Sequence, residues 1–63
     1  LSYEKLQHAL LLIDFEDRMV LLMKYQDDST IKEIAFALNL GESAIKMRLL
    51  RAKKRVIEIC NKL

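Results

Sequence analysis

Residues Ile45, Leu49, Ala52, Val56 and Ile59 step by four, three, four and three, and no other pattern constrains this chain as tightly. At about 100° per residue these five side chains fall on one face of an α-helix. A strand would need alternation at period two, which the segment lacks. The opposite side of the same helix carries Ser43, Lys46, Met47, Leu50, Arg51 and Lys54. The stretch "GESAIKMRLLRAKKR" (residues 41–55) holds six bases and, after Glu42, no acid. The bases therefore form a face of their own, with small and apolar side chains set among them.

The rest of the chain is helical by the same kind of argument. It has 63 residues, no proline and one glycine, which leaves little material for the tight turns a sheet needs. Four helices are expected, at about 2–12, 15–26, 31–38 and 42–61, in a single all-α domain. Ser2 is a good N-cap for the first, whose stripe is Tyr3, Leu6, Ala9, Leu10 and Ile13. Asp14 is placed to cap the second, with Asp17 in an acidic first turn that suits the helix dipole. "DDST" (27–30) is a turn, and Thr30 with Glu33 spells a capping box for the third helix. That helix carries Ile31, Ile34, Ala35 and Leu38. It stops at Asn39, a residue that tolerates the left-handed conformation, and Gly41 stands at the start of the fourth helix. A chain this short buries only about 60% of its unfolded surface, so its core must be efficient. Hydrophobic residues make up 52% of it.

Composition excludes several functions. One cysteine, Cys60, cannot form an internal disulfide, and one Cys with one His (His8) gives no metal site. Both read as structural, His8 on the surface and Cys60 partly buried. No acid pair, catalytic triad or phosphate loop is recognisable, so neither an enzyme, a cofactor nor a small-molecule substrate is expected. No apolar run is longer than the five residues of Ala9–Ile13, far too short for a membrane span. No signal peptide pattern appears, and a cytoplasmic setting is expected. The chain opens on leucine, as a fragment of a longer protein would.

Charge supplies the positive indication. The net charge is only +2, yet residues 1–42 hold four bases against eight acids and residues 43–63 seven bases against one. Such asymmetry suits one face for a polyanion and another for a different partner. A short helix, the turn Leu38-Asn39-Leu40-Gly41 and a longer basic helix make helix-turn-helix grammar. Ala35 leaves room for the helix crossing, while Leu40 and Ile45 are expected to lock its angle.

At these residues the chain resembles a known family. "TIKEIAFALNLGESAIKMRLLRAKKRV" is similar to region four, the C-terminal promoter-binding domain, of bacterial RNA polymerase sigma factors of the extracytoplasmic-function type. "IDFEDRMVLLMKY" resembles the preceding helix there, and the likeness spans residues 6–58. "SAIKMRLLRAK" is its most specific part. Asp14 departs from a common proline, Asn39 from a glycine, Gly41 from a capping residue, and Met47 from a small polar residue. The DNA-binding domain of quorum-sensing response regulators has a related pattern, but usually carries histidine at Arg48. A helical module docking an acidic protein partner is the alternative of another class.

The resemblance implies a winged-helix-like fold without the wing, and binding to the minus thirty-five element of double-stranded promoter DNA within the polymerase holoenzyme. In the matching positions Ser43, Lys46, Met47, Leu50 and Arg51 would face base edges. Arg51 has the planar fork for a guanine, while Lys46 reaches a base or a phosphate. Thr30, Lys32, Arg48, Lys53 and Lys54 are placed for phosphates. The resemblance further implies contact with the β-subunit flap of the polymerase core, and sequestration by an anti-sigma factor. Phe36 falls opposite the apolar stripe of its helix, either exposed toward a partner or packed against Tyr3 or its helix.

Overall fold

The computed structural model describes residues 2–63. Four helices follow one another with short connections: α1 (Tyr3–Leu12), α2 (Phe15–Tyr25), α3 (Ile31–Leu38) and α4 (Glu42–Lys62). At 1.5 Å per residue α4 alone is about 31 Å long, and it sets the long dimension of a molecule measuring 34 × 19 × 16 Å. It packs against each of the other three helices, and α2 also touches α3. The fold is all-α, with α3, its turn and α4 forming the helix-turn-helix.

The connections follow from local chemistry. Ser2 accepts a hydrogen bond from the Lys5 amide at 3.1 Å and starts α1. Asp14 stands at the N-cap of α2 but makes no side-chain cap bond, so its contribution there is its charge beside the helix dipole. The α3 start is a complete capping box. The Thr30 amide donates to Glu33 Oε1 at 2.8 Å, and the Glu33 amide donates to Thr30 Oγ1 at 3.0 Å. Thr30 holds the Glu33 carboxyl below its usual range, its backbone N–H contributing most and its side-chain hydroxyl less.

Asn39 ends α3 in the left-handed conformation (φ 56°, ψ 45°), and the Leu40 amide returns to the Ala35 carbonyl at 3.0 Å. This is a Schellman closure with asparagine in the usual glycine position. Gly41 has an ordinary extended conformation (φ −73°), and a Cβ added there would meet nothing within 4 Å. Its glycine is therefore not required by the turn.

The core is Ala9 and Ile13 from α1 and its end, Val20 and Leu21 from α2, Ile34 and Ala35 from α3, and Ile45, Leu49, Ala52, Val56, Ile59 and Cys60 from α4. All five residues of the α4 stripe are buried. Cys60 joins them more deeply than its position at the end of the stripe suggests, its thiol directed at the Lys5 carbonyl at 3.7 Å. Two expectations fail. Tyr3 projects into solvent rather than joining the α1 stripe, because nothing beyond the first turn of α1 covers it. Leu40 is 40% exposed rather than wedged between α3 and α4, whereas Ile34 and Ile45 are fully buried.

Candidate nucleic-acid interface

The outward side of α4 is built by the same helical phase that buries its stripe. Ser43, Lys46, Met47, Leu50, Arg51 and Lys54 are all exposed. The adjacent leucines show how sharp the boundary is: Leu49 is 5% exposed and Leu50 70%. Met47 and Leu50 thus hold apolar surface in water between Lys46, Arg51 and Lys54, where neither contributes to the core.

The basic side chains differ in how free they are. Arg48 is half-buried and donates to Glu16 of α2 at 2.6 Å, with Asp17 3.9 Å away. Arg51 remains largely in solvent, but its Nη2 lies 3.4 Å from Asp17 Oδ1. Lys53 holds its ammonium 5.0 Å from the centre of the Tyr25 ring, a cation–π geometry. Lys32, Lys46 and Lys54 are exposed, and none makes an ion pair among the described residues.

Arg48, expected at a phosphate, is therefore engaged with α2, and Lys53 would have to leave Tyr25 to reach one. Thr30 spends its hydroxyl and amide on the capping box, which also sets the Glu33 carboxylate at the α3 N-terminus. That negative charge opposes a phosphate there, leaving Lys32 as the stronger attraction in the same turn.

Sequence reasoning missed Asp17. It is 6% exposed, a buried carboxylate beneath the basic helix. As an acid in a first turn it looked like dipole compensation, and its partners lie 31 and 34 residues away, beyond any local spacing rule. Phe36 is settled as exposed, at 90%. His8 is on the surface. A second apolar surface lies away from the α4 face: Leu11, Leu12 and Phe15 are exposed around the α1–α2 junction, and Leu22, Tyr25 and Ile57 border an open groove between α1, α2 and α4. Among the described residues no helix is long and apolar enough to cross a membrane, and no cluster of metal-ligating side chains is present.

With this geometry in place, comparison with family models gives a match to "Sigma-70, region 4" over residues 3–56. The chain belongs to the sigma-70 region 4 family. No curated protein and no solved structure matches it. Sigma region 4 is a helix-turn-helix DNA-binding domain that works with RNA polymerase at promoters, and α3, its turn and α4 as far as Val56 lie within the matched span. The match takes in every exposed residue of the α4 face from Ser43 to Lys54.

Proposed function

We propose that this domain reads the minus thirty-five element of promoters for a sigma factor of the extracytoplasmic-function type, by laying α4 in the major groove. The single observation that carries this reading is the division of α4 into two faces. One is spent entirely on the core; the other presents Ser43, Lys46, Met47, Leu50 and Arg51, which among the described residues make no hydrogen bond or ion pair through their side chains beyond the Arg51–Asp17 contact. An α-helix with that outward composition fits the width of the major groove.

Arg51 is assigned a bidentate contact to guanine O6 and N7, and Lys46 a base acceptor or a neighbouring phosphate. Met47 and Leu50 suit thymine methyl groups. Lys32 and Lys54 are the phosphate contacts most ready to form, joined by Thr30 through its turn and by Arg48 and Lys53 where they exchange their partners for DNA. About four neutralised phosphates give a slope of log affinity against log salt of about −3 to −4.

The exposed apolar side chains of α1 and α2 support a second, protein-binding surface. Leu11, Leu12 and Phe15, with Phe36 of α3, suit the β-subunit flap of the polymerase core or an anti-sigma factor.

Selection of bound duplexes from a random pool tests the DNA reading. The wild-type chain should enrich one motif, and Arg51→Ala should relax one base pair of it at a cost of about 1–3 kcal/mol. Enrichment of no sequence, or an unchanged motif in Arg51→Ala, would defeat the assignment.

A further inference from the structure

Among the described residues Asp17 is the one charged side chain that the fold buries, and it is buried against the recognition helix. Its side chain is only 9% exposed, whereas that of Arg51, its nearest partner, is 66% exposed. One end of the pair is thus fixed inside the protein and the other reaches into solvent. A carboxylate in this position is costly unless paired, and among the described residues no buried side-chain polar atom lacks a partner. Glu16 takes the neighbouring Arg48 at 2.6 Å, so the shorter contact left to Asp17 is Arg51 at 3.4 Å against 3.9 Å for Arg48.

The geometry of a guanidinium makes this more than a clamp. Arginine carries five N–H donors in one plane, and a bidentate guanine contact uses two of them. Asp17 is approached by Nη2 alone, so the second Nη2 hydrogen still makes a two-donor edge with Nη1 or Nε–H for an outside acceptor. A long flexible side chain loses substantial rotamer entropy when it docks. A carboxylate that already restricts it lowers that loss and sets the orientation of the plane.

We propose that Asp17 is a positioning residue for Arg51, holding its guanidinium so that the remaining edge meets guanine. The proposal rests on the reading of α4 as the DNA-contacting helix with Arg51 at a base. Asp17 then sharpens sequence preference without touching DNA, from a helix that the helix-turn-helix itself does not include. Glu16 and Arg48 form a separate α2–α4 tie beside it.

The test uses the 63-residue chain in random-pool selection and in competition titrations at one fixed salt concentration. Wild type, Arg51→Ala, Asp17→Asn, the double variant and Glu16→Gln are compared. Removing the negative charge of Asp17 raises affinity for every duplex, so the readout is the ratio of affinities for preferred and altered base pairs. Asp17→Asn should lose about five- to tenfold in that ratio, a share of what a bidentate contact supplies. The loss should fall only at the base pair that Arg51→Ala relaxes, and should add nothing in the double variant. Glu16→Gln should keep the wild-type preference.

An unchanged ratio in Asp17→Asn, with Arg51→Ala still relaxing one position, overturns the inference and leaves the DNA reading standing. A wild-type chain that enriches no motif overturns both. If Asp17→Asn does not fold, side-chain NMR of the wild-type complex decides. Arg51 Nη resonances held by Asp17 and DNA together should be split and slow to rotate, and a single averaged signal would overturn the proposal.

Discussion

Leu49 and Leu50 are neighbours of identical chemistry, and replacing each by alanine should damage different properties. Leu49 is packed into the core, so Leu49→Ala leaves a cavity and should cost about 2–5 kcal/mol. A domain of this length has a total stability of only about 3–9 kcal/mol. The melting temperature should therefore fall by at least about 8 °C. Leu50 lies mostly in water, so Leu50→Ala should change stability by no more than about 0.5 kcal/mol, a shift of about 2–4 °C. Its exposed part would be worth about 1–2 kcal/mol if fully covered by DNA. With half of it covered, Leu50→Ala should weaken the specific complex about two- to fivefold. Circular dichroism melts and fluorescence-anisotropy titrations on the two variants measure both quantities. If Leu50→Ala destabilised the fold as much as Leu49→Ala, the outward face of α4 would be packing surface and the argument would fail.

Two further outcomes follow from the helix ends. Gly41→Ser should stabilise the domain by a few tenths of a kcal/mol in a urea titration, because the added side chain meets open space and supplies the cap that α4 lacks. The folded-state lowering of the Glu33 carboxyl means that its stabilising contribution is present in full above the ordinary glutamate range and is lost as pH falls from there through the lowered value. Protection of the Thr30 and Glu33 amides, taken relative to their intrinsic exchange rates at each pH, should therefore fall in acid, and Glu33→Gln, which can still accept the capping bond, should remove that dependence.

The sequence was most informative where one residue and its near neighbours decide the structure. The Thr30–Glu33 box, the left-handed Asn39 and the α4 stripe all depend on spacings of four or fewer, and each is present as read. Distant pairs carried no such signal. Asp17 meets Arg51 only because α2 and α4 cross there, and the same crossing takes Arg48 to Glu16. Lys53 likewise faces Tyr25 through packing, not through spacing. The direction of Phe36 was legible from the helix phase, but its exposure depended on whether α1 reached it. It does not, and the ring stands in solvent. Tyr3 and Leu40 were misread because apolar character at the right phase does not ensure that another element covers the position.

The central claim, that the outward face of α4 meets DNA, is tested most directly by following backbone amide resonances as a duplex carrying the selected motif is added. The account predicts shifts concentrated at Ser43, Lys46, Met47, Leu50 and Arg51, with smaller ones at Lys32 and Lys54. Shifts confined instead to the exposed apolar residues of α1 and α2, or none at saturating duplex, would contradict it.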